Sequence, residues 1–72
     1  MKDLYILELK EIFKPCPKTT YYQHELGSLL MDTKDILNAT IFTSIEFCDN
    51  LKDEVETDYD YKVKILHYKL EL

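Results

Sequence analysis

The sequence predicts a small α+β domain: one helix packed on a three-stranded, mostly antiparallel sheet, in the order strand, helix, strand, strand. Three observations point there. Residues 4–13 and 61–72 set apolar side chains at alternate positions, the period of a strand. Residues 20–38 between them repeat apolar side chains at the spacing of a helix. Only one glycine and two prolines interrupt the 72 residues, so most of the chain is free to enter regular structure. The composition, 46% apolar and 32% charged, is that of a folded chain, and the length leaves room for one domain, residues 1–72. So short a chain buries only about 60% of its unfolded surface, which limits its stability to a few kcal/mol.

In the first strand Tyr5, Leu7, Leu9 and Phe13 fall on one face, while Leu4, Ile6 and Ile12 make the other face partly apolar. Cover on both sides is the corresponding expectation. Lys14-Pro15-Cys16-Pro17-Lys18 follows as a loop, because each proline removes a backbone donor and biases its predecessor toward extended geometry. Thr20-Tyr21-Tyr22-Gln23 matches a capping box. Tyr22, Leu26, Leu29 and Leu30 continue at helical spacing, with Thr33 and Leu37 near the same stripe. Gly27 within that stretch costs a helix about 1 kcal/mol relative to alanine. Asp32, with Asp35 three residues on, permits a second start, so residues 20–38 read as one helix or two shorter ones.

Residues 39–47 alternate again. Ala39, Ile41, Thr43, Ile45 and Phe47 point one way, Thr40, Phe42, Ser44 and Glu46 the other, and the β-branched content favours a strand. Residues 49–60 form an acidic connection, with Asn50 capping a helical turn, Leu51 and Val55 as an i,i+4 pair, and residues 57–60 extended. In the last strand Val63 and Ile65 occupy one face, and Leu66, Tyr68, Leu70 and Leu72 the other. Either a bulge near Leu66 or burial on both sides accounts for that change. The last two strands are expected to pair antiparallel across the acidic connection.

The net charge of −5 lies entirely within residues 49–60, where Asp49, Asp53, Glu54, Glu56, Asp58 and Asp60 surround the single Lys52. Charge of one sign, concentrated in this way, projects a field that favours a cationic partner. Most charge runs are simply solvated faces. This one interleaves Tyr59 and Tyr61 with Asp58 and Asp60, so an extended chain would line the carboxylates on one face and the rings on the other. A row of carboxylates imitates a row of phosphates, and tyrosines add contact area. The expected partner-binding residues are therefore Asp49, Asp53, Glu54, Glu56, Asp58, Tyr59, Asp60 and Tyr61. Of the six tyrosines, Tyr5, Tyr22 and Tyr68 sit on apolar faces and belong in the core; Tyr21, Tyr59 and Tyr61 belong at the surface.

Other chemistry finds little support. All nine basic residues are lysines, so the arginine forks that read guanine and phosphate are missing, and direct nucleic-acid binding is not expected. Cys16, His24, Cys48 and His67 are spaced too widely for a zinc site, and the acidic segment lacks the glycine turn and ligand spacing of a calcium loop. Cys16 has Lys14 and Lys18 beside it, but nothing places a histidine base there. One glycine cannot build a phosphate-cradling loop, and so small a domain hardly accommodates a catalytic pocket. No catalytic residue, metal or cofactor is expected, and the chain does not read as an enzyme. Two cysteines make no disulfide framework, no cleavage pattern follows the N-terminus, and no apolar run approaches the roughly 18 residues that span a bilayer. A soluble cytoplasmic protein with no membrane partner is the expectation.

The function expected from these features is that of a small acidic binding module, an inhibitor that occupies the basic nucleic-acid-binding surface of another protein. Phage-encoded anti-defence decoys act in this manner; the likeness is one of size and charge, and no motif places the chain in a family. The alternative is a structural domain that assembles, for instance as a homodimer, through exposed sheet edges, since the terminal strands are long.

Overall fold

The alternating segments at the two ends of the chain pair with each other. In the computed structural model, which describes residues 2–71, β1 (Lys2–Glu11) and β4 (Tyr61–Leu70) run antiparallel without a break from Lys2↔Leu70 to Glu11↔Tyr61. This register sets Tyr5, Leu7 and Leu9 opposite His67, Ile65 and Val63 on one face, and Leu4 and Ile6 opposite Tyr68 and Leu66 on the other. No bulge interrupts β4 near Leu66. The change of face comes from a regular strand with apolar side chains on both sides. Ile6 is buried along with Tyr5, Leu7 and Leu9, whereas Leu4 on the same second face is only half-buried, so the cover expected on both sides of β1 is complete on one side and local on the other.

Residues 20–38 do not form a helix. They fold as a hairpin of β2 (Thr19–Leu26) and β3 (Leu29–Thr33), followed by one 3-10 turn at Ile36–Asn38. The cause is the Gly27-Ser28 turn. Gly27 has φ 60° and Ser28 a negative φ, the combination of a type II′ turn, whose twist matches that of the flanking strands. Leu26 and Leu29 are cross-strand partners over that turn. Two residues three apart thus imitate one turn of helix while belonging to a hairpin. A register irregularity between Tyr22 and His24 completes the disguise by shifting the apolar positions out of strict alternation. The sheet therefore has four antiparallel strands in the order β3-β2-β1-β4, one more than expected.

Residues 39–47 also depart from the strand that their alternation predicts. They are not a strand that pairs with β4, because α1 (Ile45–Asp58) claims their last three residues. Ser44 starts this helix: its hydroxyl accepts the Phe47 N–H at 3.2 Å. The preceding residues wedge into the gap where β2 leaves β1. Tyr5 and Phe42 exchange both backbone hydrogen bonds at 2.8 Å, the Thr40 N–H donates to the Tyr22 carbonyl at 3.1 Å, and the Thr40 hydroxyl donates to the Gln23 carbonyl. Phe42, expected on the polar side, turns inward against the rings of Tyr22 and Phe47, with centroids 5.9 and 5.5 Å away. The element order is thus strand, strand, strand, helix, strand, within the α+β class that the sequence predicts.

Cys48, Leu51 and Val55, at i, i+3 and i+7, are the buried stripe of α1. With Tyr5, Leu7, Leu9, Tyr22 and Val63 they make the core, all on the helix side of the sheet. The opposite face has no covering layer among the described residues. Leu4, Ile6 and Tyr68 share it with Ile36, Leu37 and Ile41. Tyr68 is 46% exposed there, outside the core expected for it.

The hairpin makes a prediction opposite in sign to that of a helix. A Cβ at Gly27 would meet no atom within 4 Å, so Gly27→Ala exposes the backbone cost alone, about 1–3 kcal/mol for a side-chain-bearing residue held at a rarely populated positive φ. The urea midpoint should fall with an unchanged slope, whereas a helical residue 27 would be stabilised by alanine. Leu9→Ala, at a fully buried site, should cost about 2–5 kcal/mol, most of what so small a domain has.

Candidate functional site

Burial of Cys48, Leu51 and Val55 sets the rotation of α1, and the rotation decides where its charges go. Asp49, Asp53, Glu54, Glu56 and Asp58 are all exposed, and Glu46 joins them from the first turn. By helical period, Glu46, Asp49, Asp53 and Glu56 share one flank, and Glu54 and Asp58 the other. The extended row of carboxylates and rings over residues 58–61 does not form. Asp58 is the last helical residue, Tyr59 is the C-cap with its N–H on the Val55 carbonyl at 2.9 Å, and Tyr61 opens β4. The Asp60 carbonyl accepts the Ile12 N–H at 3.2 Å, which extends the β1–β4 pairing by one bond.

None of these helix carboxylates has a lysine partner among the described residues. The lysine–carboxylate pair found there is Glu11–Lys14 at 3.4 Å, and Asp3 Oδ1 meets His67 Nε2 at 2.9 Å. Lys52, the basic residue of α1, instead lines a recess with Lys10, Lys62, Lys64 and Glu8. Lys10 and Lys62 are directly opposed across β1 and β4, a like-charge arrangement that destabilises a sheet. The molecule is accordingly bipolar, with carboxylates over the helix and lysines along β4. One acidic group also serves the fold: Glu56 Oε2 accepts the Val63 N–H at 2.9 Å and so caps a donor on the outer edge of β4. Glu56 and Asp58 lie in the last helical turn with no base beside them, where the helix dipole disfavours a carboxylate by about 0.3–1 kcal/mol.

The hairpin extends the acidic surface. The Tyr22 hydroxyl donates to Glu25 Oε1 at 3.4 Å; burial first, then Glu25, pushes this hydroxyl up to about 12. Burial raises Tyr59 as well, followed by Glu25, Asp58 and Glu54, and raises Tyr61, followed by Asp32 and Glu11. Both rings are half-buried and packed against the core, so they are anchored and not the free surface rings expected. Glu25 and Asp32 escape a reading that puts them on a helix, and Glu46 one that puts it in a strand. For Glu46 the available signal was Ser44, an N-cap two residues earlier.

The other candidate residues are dispersed. Cys16 is exposed in the β1–β2 loop, and Cys48 is wholly buried under the helix, where burial and then Asp49 raise its thiol; both are free. His24 is exposed on β2. His67 stacks on Tyr5 with centroids 4.8 Å apart and meets Asp3 through Nε2. The described residues contain no group of three or more metal-type ligands, and no helix among them is long and apolar enough to cross a membrane. Compared with protein-family models, curated proteins and solved structures, the chain matches none.

Tyr22 predicts an alkaline loss of stability. Burial pushes its hydroxyl from the ordinary 10.0 up to about 12 in the fold, so its contribution is complete below pH 10 and is lost as pH rises through 12. The urea midpoint should fall across that window, and Tyr22→Phe should remove part of the fall. Tyrosinate absorbance followed in parallel assigns the transition.

Proposed function

We propose that the chain is a small acidic protein-binding module that occupies the basic, nucleic-acid-binding surface of another protein. The supporting observation is a set of outward carboxylates on α1 that no lysine neutralises. From Glu46 to Asp58, six carboxylates follow one another along the helix. At about 1.5 Å rise per residue this is one per roughly 3.6 Å, close to the ~3.4 Å per phosphate of one nucleic-acid strand. The match is one of linear density, since the groups occupy two flanks. Their placement costs stability through mutual repulsion and through the helix dipole. In a domain with little stability to spare, such a placement is explained by a gain at an interface.

A second reading draws on the open sheet face. Leu37 is 88% exposed and Ile41 56%, beside Tyr68 and Leu70, which favours assembly with a second copy through that face. The outer edge of β4 is a poorer route, because Lys62, Lys64 and Lys69 punctuate it and Glu56 already caps Val63.

Asp49→Lys combined with Asp53→Lys separates the two readings, since both residues are exposed and the helix should persist. The decoy reading expects a basic nucleic-acid-binding protein captured from cell lysate to be released by high salt and by excess duplex DNA, and to be lost in the double variant. Capture that resists salt and DNA and survives charge reversal contradicts it. The assembly reading expects self-association in sedimentation that persists at high salt in both proteins.

A further inference from the structure

Where β1 ends and β4 begins, two chain segments, residues 11–14 and 59–61, face one open recess of about 350 Å³. Phe13 comes from the β1–β2 loop, Tyr59, Asp60 and Tyr61 from the turn after α1, and Glu11 and Lys14 from either side of the β1 end. Phe13 is 78% exposed, an aromatic ring that the fold itself does not use. Tyr59 and Tyr61 are anchored by their packing on the core, so they present rings in fixed places. The carboxylates around both rings, Glu25, Asp58 and Glu54 for Tyr59 and Asp32 and Glu11 for Tyr61, add to burial in holding their hydroxyls neutral. A recess of this kind repels anions, and Glu11 and Asp60 oppose a purely apolar guest. It attracts cations twice over, through the carboxylates and through the negative faces of the rings. Lys14 already shows this chemistry, with its Nζ 3.4 Å from Glu11 on the recess wall.

We infer that this recess receives one cationic side chain of the basic partner, arginine by preference, over the rings of Phe13, Tyr59 and Tyr61 with its charge toward Asp60 and Glu11. The identity of the partner rests on the function proposed above; the recess itself does not. Arginine is favoured because a planar guanidinium stacks on aromatic faces while its fork reaches a carboxylate. Lys14 acts as an internal competitor. Its ion pair with Glu11 is largely exposed and weak, so an incoming guanidinium displaces it readily.

Titration of the ¹⁵N-labelled full chain with N-acetyl-arginine amide, against the neutral isostere N-acetyl-citrulline amide, tests this. Saturable shifts confined to residues 11–14 and 59–61, with arginine and not with citrulline, are expected. Phe13→Ala, at an exposed site that leaves the fold intact, should weaken arginine binding about two- to five-fold, the range of an exposed cation–π contact. Lys14→Gln should strengthen it. An equal response to citrulline, shifts spread along α1 instead, or no effect of Phe13→Ala would overturn the inference. Arginine binding in the recess, with partner capture unaffected by the Asp49 and Asp53 reversal, would overturn the proposed function and leave the recess standing. Capture lost on reversal, with no arginine response at the recess, would do the opposite.

Discussion

The burial of Leu51 and Val55, with Cys48, against Leu7, Leu9 and Val63 is the contact on which the rest of this molecule depends. It joins the helix to the two longest strands and sets the rotation of the helix about its axis. Fully burying a leucine or valine contributes about 1.5–3 kcal/mol, whereas a carboxylate at the wrong end of a helix opposes folding by about 0.3–1 kcal/mol. Burial wins that comparison, and the acidic side chains are carried outward with the turning of the helix. The acidic face is thus a consequence of a narrow apolar stripe on a long, strongly charged helix.

The helix reaches this position through the short segment that joins the hairpin to it. Residues 38–42 close the opening between β1 and β2 with backbone hydrogen bonds to Tyr5 and Tyr22. Phe42 then adds its ring to the core beside Tyr22 and Phe47. The chain crosses from the β3 side of the sheet to the β4 side by way of α1, the one helical layer on the sheet among the described residues. One face is closed and the other remains open, with an apolar half near Leu4 and Tyr68 and a basic half near Lys10, Lys62 and Lys64.

The terminal strands were legible because they are long and alternate over their whole length; the pair Leu51 and Val55 was legible as a helical contact. The middle of the chain was not. Across a two-residue turn, cross-strand partners are three apart in sequence, so Leu26 and Leu29 satisfy a helical template and a hairpin template equally. Gly27-Ser28 carried the distinction, since a glycine is unwelcome inside a helix and required at the first position of a II′ turn. In residues 39–47 the alternation was real, but it reported an extended connection with one bridge, not a paired strand. The start of α1 was hidden because its apolar stripe is narrow and six of its residues are acidic. The acidic character of the site was readable from composition alone. Its geometry was not, because the contributions of Glu25, Asp32 and Phe13 depend on which distant segments the fold brings beside the helix.

The carboxylates of α1 point outward and repel one another, and no lysine neutralises them among the described residues. The urea midpoint of the wild-type protein as a function of sodium chloride concentration tests this most directly. Unpaired like charges predict a midpoint that rises with salt, as screening relieves their repulsion. A midpoint that falls or stays level would mean that the carboxylates are held in attractive pairs within the fold, and the outward acidic face would not exist.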